Sequence, residues 1–287
     1  GAGLTARAAI AAAAAGKVRA LWIVSDELLA SAPDRALVEK ALERCELVIV
    51  NELFLTRTAA RAHVVFPVAA FAEKEGSTLN SERRLQRSNR ALSPRGTRQN
   101  GGSGARPDWE VFQAVAQELG ADWRYRTAED VFREIVRVVP GFQGLSYAML
   151  LPDGACLTGA RVAARLQPVT AGALAAGEGL WLLAGGTLFA DGSLSGRSET
   201  LSRLAAARRA RLSPAEASRL GVTAGDRVEL AGAEGGLTLG LEIDDSVPAG
   251  AVFVPYAGVE LNRLGVPSGP GLRVTLRKAS AVATVGT

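Results

Sequence analysis

Thiol and imidazole groups are scarce in this sequence. Its 287 residues include two cysteines, Cys45 and Cys156, and one histidine, His63. A cysteine-ligated iron–sulfur cluster takes about four thiolates, so this chain alone cannot build one. One histidine and two distant cysteines also cannot form a transition-metal site without several carboxylates. A hydrolase triad is disfavoured as well, because no GxSxG turn accompanies the histidine. We therefore interpret His63 and Cys45 as structural side chains in buried segments.

Long apolar runs are lacking too. No segment has the ~20 uninterrupted apolar residues that a membrane-spanning helix needs. The alanine-rich start is interrupted by Arg7, Gly16 and Lys17, which is unlike a signal peptide. The net charge of +4 comes from arginines spread over several segments. Because neither a basic motif with interleaved aromatic residues nor a zinc-finger spacing is present, we expect no nucleic-acid partner. The low cysteine content suits a reducing cytoplasm.

Short apolar runs alternate with helical patterns in the first part of the chain. The 48% hydrophobic content is enough for at least one core, and the length favours two domains. Predicted helices cover Ala6–Ala15 and Arg35–Arg44, predicted strands cover Ala20–Val24, Leu47–Val50 and His63–Phe66, and Thr56–Ala62 is predicted as a helical turn. This alternation predicts an α/β fold with a partial doubly wound, Rossmann-like parallel sheet. Because Gly1 leads directly into a helix, we expect the chain to be a fragment of a longer polypeptide.

Two capped helices are predicted further along. Asp108 is a suitable N-cap for a helix at Trp109–Leu119, which Gly120 would end. Thr127 is predicted to cap the next helix, with Asp130 completing a capping box. The predicted inner faces are Val111, Phe112, Val115, Ala116 and Leu119 on the first helix, and Val131, Phe132, Ile135 and Val138 on the second. The segment 94–106, rich in glycine, serine and arginine, is predicted to be a mobile insert.

From Leu180 the pattern changes to short strands and turns. The strand sequences are LWLLAGG, RARL, DRVELAG, LTLGLEI, AVFVPYA and LRVTL. One helix is predicted among them, with Ser213 as N-cap, Pro214 at its first position, Glu216 closing a capping box and Gly221 after its last turn. We divide the chain into an α/β part at 1–150, a connector at 151–179 and an all-β part at 180–287.

The segment Arg61–Arg90 places charged and hydroxyl side chains just after a predicted strand. The carboxyl edge of an open α/β sheet is where ligands sit, so the predicted loop after Phe66 is a candidate site. Gly76 would let backbone amides approach a partner closely, and three arginines, Arg83, Arg84 and Arg87, could contact phosphate oxygens. The alternative is a solvated polar loop with internal ion pairs.

Two glutamates on this predicted loop have the spacing of an acid/base pair. Glu73 and Glu75 could exchange protons with a substrate, or they could pair with Lys74, Arg83 or Arg84. We favour the ion pairs, since neighbouring opposite charges usually have no chemical role.

The order of residues in this segment carries a family resemblance. The matching residues are Val64, Phe71, Ala72, Glu73, Lys74, Glu75, Gly76, Asn80, Glu82, Arg83 and Gln86, followed by Ala105, Arg106, Pro107, Asp108 and Trp109. This order resembles the molybdopterin oxidoreductase superfamily. The all-β part, with LSPAEASRLGVTAGDRVEL and VPAGAVFVPYAG, resembles its molybdopterin-dinucleotide domain, a double-psi β-barrel. Within the superfamily, the chain is most similar to the carboxy-terminal part of the G subunits of NADH-quinone oxidoreductase (respiratory complex I). Formate dehydrogenase catalytic subunits are similar over the same stretch.

The resemblance implies positions that would hold a pterin dinucleotide. They are Glu75, Gly76, Thr78, Asn80, Glu82 and Arg83 on the predicted loop, and Asn262 in the all-β part. Leu183–Arg197 departs from the Thr-Gly-Arg and histidine pattern of relatives that carry the cofactor, and their metal-binding cysteine or selenocysteine lies in a part of the fold absent from this chain. We therefore expect no cofactor here, with molybdopterin guanine dinucleotide as the alternative. Iron–sulfur clusters are expected in an amino-terminal region outside this chain.

Three functions compete at this point. The first is a non-catalytic structural and docking part of the peripheral arm of complex I. Its implied partners are other peripheral-arm subunits and its own amino-terminal iron–sulfur region, with a cytoplasmic location and membrane contact through the complex alone. The second is a fragment of a molybdenum or tungsten formate dehydrogenase. The third is a free-standing nucleotide-binding module that uses the basic loop as its phosphate site.

Overall fold

The chain forms two compact units. The computed structural model describes residues 3–94, 104–157, 177–186, 188, 192–205, 208–255, 260–265 and 271–279. Most of the insert predicted at 94–106 and most of the predicted connector lie outside these ranges. One unit, here the barrel unit, comprises Gly1–Ala14, Leu28–Glu43 and Pro168–Thr287; the other, the sheet unit, comprises Ala15–Glu27 and Arg44–Gln167.

A three-stranded parallel sheet forms the first layer of the sheet unit. Its strands are β1 (Ala20–Val24), β2 (Leu47–Glu52) and β3 (Val64–Pro67), paired in the order β1-β2-β3. Val48 and Val50 on the central strand are fully buried, as expected for a parallel sheet. The parallel α/β arrangement predicted from the sequence is confirmed.

A second, antiparallel sheet lies where the sequence predicted a loop, so that prediction was wrong. Strands β4 (Gly76–Leu79), β5 (Arg84–Ser88) and β6 (Ala155–Cys156) pair in the order β4-β5-β6. The polar segment after β3 is therefore a hairpin, and the segment predicted as a connector contains a strand. Polar strands such as GSTL and RLQRS lack the β-branched alternation on which strand prediction depends. Leu85 of β5 joins a core cluster with Phe132, Tyr147 and Leu150.

The helices α4 (Asp108–Glu118) and α5 (Ala128–Val138) complete the sheet unit. Phe112 of α4 packs edge-on against Trp22 of β1, with ring centroids 5.0 Å apart. Asp108, which was predicted as the N-cap of α4, is its first helical residue, and the N-cap is Pro107. Two side chains predicted to be buried are exposed: Leu119, which directly follows α4, at 82%, and Val138, the last residue of α5, at 61%.

The barrel unit is built on a closed six-stranded barrel. Its strands are β7 (Leu180–Gly185), β8 (Arg209–Leu212), β9 (Arg227–Ala231), β10 (Gly236–Ile243), β11 (Ala251–Pro255) and β12 (Arg273–Lys278), in the closed order β10-β8-β11-β7-β12-β9. Two of its pairings are parallel, β8 with β10 and β7 with β11, and the others are antiparallel. Val228, Leu230, Leu241, Val252 and Val254 form the buried centre. The predicted double-psi barrel is confirmed.

Five α-helices are described in or beside the barrel unit. They are α1 (Ala6–Ala14), α2 (Leu28–Ser31), α3 (Arg35–Arg44), α6 (Glu199–Leu204) and α7 (Pro214–Leu220). The sequence did not predict α2 and α6. In α7, Ser213 is the N-cap as predicted and Gly221 adopts the left-handed conformation at φ +66°. Glu216 departs from its predicted capping box, because its Oε1 accepts from the Gly250 amide at 3.0 Å and its Oε2 pairs with Arg219.

The histidine His63 and the cysteine Cys45 both lie in structural positions. His63 Nδ1 accepts the backbone amide of Val48 at 2.9 Å, at the start of the β2–β3 pairing. Cys45 is 5% exposed, and burial raises the pKa of its thiol. Across the described ranges, every helix is too short or too polar to cross a membrane.

Candidate functional site

The positions implied by the resemblance fall in two separate places. Glu75, Gly76, Thr78, Asn80, Glu82 and Arg83 lie on the β4–β5 hairpin or at its start, within the sheet unit. Asn262 lies in a 3-10 turn at Leu261–Arg263, within the barrel unit.

Asn80 and Arg83 form the turn of the hairpin. The Asn80 amide donates to the Arg84 carbonyl at 3.0 Å, and Asn80 Oδ1 accepts the Arg84 amide at 2.8 Å. Arg83 has φ +65°, a left-handed conformation that costs a non-glycine residue about 1–2 kcal/mol. The side-chain oxygen of Asn80 is therefore engaged in turning the chain.

Glu75 and Arg87 belong to a cluster around a buried tyrosine. An Arg87 Nη2 lies 3.6 Å from Glu75 Oε2, and the guanidinium lies 4.5 Å from the ring centroid of Tyr147. Tyr147 is 3% exposed, and burial, followed by the nearby Glu75 charge, raises the pKa of its hydroxyl. Arg87, which the sequence suggested as a phosphate ligand, is stacked on a core aromatic ring instead.

Lys74 links the two segments that carry the resemblance. Its Nζ donates to Asp108 Oδ2 at 2.7 Å, whereas Glu73, one of its predicted partners, accepts the Ala70 amide at 2.9 Å. Asp108 Oδ1 in turn accepts Asn51 Nδ2 at 3.2 Å. Asn51 Oδ1 accepts Trp22 Nε1 at 2.9 Å.

These contacts form a continuous polar chain, Lys74–Asp108–Asn51–Trp22. This polar chain joins β1, β2, the segment before β4 and the first turn of α4. Asn51 within it is fully buried. Sequence reasoning missed Asn51 and Trp22. The available signal was an asparagine placed directly after the buried strand LVIV.

The outward face of the hairpin is polar and open. Thr78 pairs with Gln86 across the two strands, and Gly76 pairs with Ser88. A Cβ atom on Gly76 would meet nothing within 4 Å, so packing within the chain does not require glycine there. Glu82 and Thr78 are exposed. The hydroxyl and amide groups of this face could bind a polar ligand.

A cavity of about 450 Å³ adjoins the start of the hairpin. The charged side chains in its lining are Glu73, Lys74, Glu75, Arg90, Glu110 and Arg126, and Trp109 adds an aromatic ring. Because acids and bases are balanced in this lining, it offers no excess positive charge for phosphates. Across the described part of the chain, no group of three or more His, Cys, Asp or Glu side chains could hold a metal ion.

Asn262 is anchored to the segment that carries α2. Its Nδ2 donates to the carbonyls of Leu29 and Ala32, at 2.9 and 3.0 Å. Its Oδ1 is buried without a hydrogen-bond partner among the described residues. The nearby Glu260 pairs with Arg35 at 2.7 Å and also with Arg263. A cavity of about 300 Å³ adjoins these side chains.

At three of the seven implied positions, the side chain does not fit the phosphates of a pterin dinucleotide. Phosphates require N–H and O–H donors. Both amide hydrogens of Asn262 are bonded within the chain, and Glu75 and Glu82 are acidic side chains. The other four positions, Gly76, Thr78, Asn80 and Arg83, lie on the β4–β5 hairpin.

Two family models match the chain. The model described as "Molybdopterin oxidoreductase" matches residues 2–118, and that described as "Molydopterin dinucleotide binding domain" matches residues 180–279. The second match covers all six strands of the closed barrel.

Curated proteins of two kinds are similar to the chain. The second G-type NADH-quinone oxidoreductase subunit of Rhizobium meliloti (strain 1021) is 34% identical over 257 residues, covering 87% of this chain and 29% of that protein. F420-dependent formate dehydrogenase subunit alpha of Methanocaldococcus jannaschii is 29% identical over 271 residues, covering 85% and 39%. A putative formate dehydrogenase of Staphylococcus haemolyticus is 36% identical over 135 residues, covering 47% and 13%. The chain thus spans less than half the length of each of these relatives.

A solved structure has the same fold. Acetylene hydratase from Pelobacter acetylenicus superposes with a TM-score of 0.70 at 16% identity, covering 95% of this chain and 46% of that one. At this identity the likeness concerns the fold alone, and it includes both the α/β layer and the barrel.

Proposed function

The chain belongs to the molybdopterin oxidoreductase family, and from that premise we propose that it is the carboxy-terminal structural and docking part of a G-type subunit of NADH-quinone oxidoreductase. In this proposal it lies in the peripheral arm of complex I, on the cytoplasmic side, and has no metal centre of its own. Its partners are other peripheral-arm subunits and an amino-terminal iron–sulfur region of the same polypeptide. The pterin positions on the hairpin and at Asn262 are vestigial.

One observation supports this proposal most. The residues by which the chain resembles the family are bonded to other residues of the same chain. Asp108 is bonded both to Lys74 and to the buried Asn51. Asn262 has both amide hydrogens on backbone carbonyls. Side chains committed in this way hold elements together and are not available to orient a dinucleotide.

In the proposed role, these residues take part in no chemical step. Electrons would pass through clusters in other parts of the complex, and this chain would supply packing surface that keeps water away from them. The dominant requirement is then a rigid body, which the closed barrel and the buried polar chain in the sheet unit both favour.

A formate dehydrogenase fragment is the second candidate. It is favoured by the 85% coverage of this chain in the match to the Methanocaldococcus jannaschii protein. In that role, a molybdenum or tungsten pterin supplied by the longer polypeptide would carry out the oxidation of formate.

Metal analysis of the longer polypeptide separates the two candidates. The whole subunit should be purified anaerobically, and its molybdenum and tungsten measured by mass spectrometry, beside a formate dehydrogenase prepared in the same way as a positive control. Our proposal predicts neither metal in stoichiometric amount. About one molybdenum or tungsten per polypeptide would contradict it and support the formate dehydrogenase assignment.

The nucleotide-binding module is tested on this chain alone. Calorimetric titration with GDP should release no binding heat at millimolar ligand. Saturable heat that disappears in the Arg83→Ala variant would support a phosphate site on the hairpin and contradict the structural role proposed for it.

A further inference from the structure

The barrel unit contains a segment from a distant part of the sequence. Residues Leu28–Glu43 lie in the chain between β1 and β2, which both belong to the sheet unit. They nevertheless group with the barrel rather than with the strands that flank them. Some contact must hold this crossover segment on the barrel unit.

Three polar side chains contribute to that contact. Asn262 donates two hydrogen bonds to the carbonyls of Leu29 and Ala32, at the end of the four-residue helix α2. Arg35, in the first turn of α3, pairs with Glu260 at 2.7 Å, with the two side chains 13% and 16% exposed. We call Arg35, Glu260 and Asn262 the clasp.

The turn that carries the clasp is itself fixed to the barrel. A Cβ atom on Gly232 would lie 1.9 Å from the carbonyl oxygen of Leu264, and one on Gly235 would lie 2.8 Å from that of Arg263. The loop between β9 and β10 therefore approaches the turn backbone to backbone, a contact that only glycine permits. Leu264 is fully buried in the barrel core. The clasp thus extends from a rigid support.

The partners of the clasp also explain why α2 forms. A helix of four residues is too short to be stable alone, and its last carbonyls have no donor within the helix. The amide of Asn262 supplies hydrogens to two carbonyls at this end, in the way a C-terminal cap does.

We propose that the clasp holds the crossover segment Leu28–Glu43 on the barrel, and that Asn262 acts in it as a structural donor rather than as a ligand of a dinucleotide. The hold on the crossover segment does not depend on the proposed function, whereas the statement that Asn262 is not a ligand rests on it. It predicts that loss of the Asn262 amide releases the crossover segment while the barrel stays folded.

Hydrogen exchange measured by mass spectrometry on the full chain tests the proposal, with no nucleotide present. In Asn262→Ala, amides of residues 28–33, such as that of Ala32, which donates to Leu28 at 3.1 Å, should exchange about tenfold to a hundredfold faster. Peptides from β9 and β10 should be unchanged within about twofold. The matched control is Asn89→Ala, an exposed asparagine of the sheet unit, which should leave residues 28–33 unchanged. Unchanged exchange of residues 28–33 in Asn262→Ala would overturn the proposal.

A milder pair of variants covers the case in which Asn262→Ala unfolds the whole chain. Glu260→Gln and Arg35→Gln each remove one charge of the clasp, and each should accelerate exchange in residues 28–39 while sparing β9 and β10. Arg35 also pairs with Glu39, and Glu260 also pairs with Arg263. Because the two side chains contact each other as well, the acceleration in the double variant should be less than the sum of the two single effects. Fully additive effects, or acceleration spread over the barrel, would contradict the clasp.

Discussion

At the scale of single residues, the polar chain Lys74–Asp108–Asn51–Trp22 is the feature that most constrains the function. A lysine in a charged loop reads from the sequence as a solvated or ligand-binding group. In the structure it neutralises a carboxylate at the first turn of α4, and that carboxylate orients a fully buried asparagine. The charge of Lys74 therefore contributes to the stability of the sheet unit.

Replacing Lys74 tests this role. Lys74→Met should lower the free energy of unfolding by about 1–3 kcal/mol, because Asp108, with a side chain 18% exposed, is left without its cationic partner. Urea denaturation gives the value. Lys40→Met, on the exposed face of α3, is the control and should change it by less than about 0.5 kcal/mol. Equal midpoints for Lys74→Met and the unmodified chain would show that the pair is not structural.

The sequence indicated some of the polar residues that matter to the fold, but it did not indicate which residues they pair with. Lys74 was expected to pair with Glu73 or Glu75, its neighbours, but its partner Asp108 lies 34 positions away. Asn262 and Leu29 are separated by 233 positions. Such contacts depend on how elements pack, which no local pattern encodes.

At the scale of elements, periodicity was a reliable guide where side chains are apolar. The predicted limits of β1 and α3 agree with the structure, because ALWIV and the 3.6-residue pattern of α3 are unambiguous. The β4–β5 hairpin was missed, since its strands are polar and its turn depends on the Asn80 side chain.

Asn80 allows the hairpin to be tested without disturbing its surface. Asn80→Ala removes the acceptor of the Arg84 amide and should destabilise the sheet unit by about 1 kcal/mol. Asn80→Asp retains an oxygen at the same position and should stay close to the unmodified chain. Thermal unfolding followed by circular dichroism compares the two. An alanine variant as stable as the aspartate variant would rule out a structural role for this side chain.

The Glu216–Arg219 ion pair on helix α7 makes the stability of the protein depend on pH. Pairing with Arg219, followed by the hydrogen bond from Gly250, lowers the pKa of Glu216. A carboxyl with a lowered pKa in the folded state contributes stability above its unfolded pKa, near 4.3, and loses that contribution as pH falls through the folded value. Glu216→Gln should therefore be less stable than the unmodified chain at pH 7, and the difference should shrink toward pH 3.

Urea denaturation at both pH values measures this difference. Glu118→Gln, at the exposed end of α4, serves as the control and should change the unfolding free energy by less than about 0.5 kcal/mol. A difference between Glu216→Gln and the unmodified chain that stays constant from pH 7 to pH 3 would contradict the ion pair.

At the scale of the whole molecule, the chain passes between its two units three times within the described residues, at 14–15, 27–28 and 43–44. The sequence predicted the two kinds of architecture, an α/β layer and a barrel, because each has its own periodicity. It did not predict that the crossover segment would group with the barrel, since a helical pattern does not specify the surface on which it packs. The limits at 150 and 180 remain sequence-based predictions.

The central claim is that the residues by which this chain resembles a cofactor-binding family now serve to hold the chain together. Pterin content tests it most directly, because a pterin without metal would escape metal analysis. The longer polypeptide should be purified anaerobically and denatured, and the released pterin oxidised and quantified by fluorescence, with a pterin-containing formate dehydrogenase as the reference. Our account predicts pterin far below one per polypeptide. One or two pterins per polypeptide would contradict it.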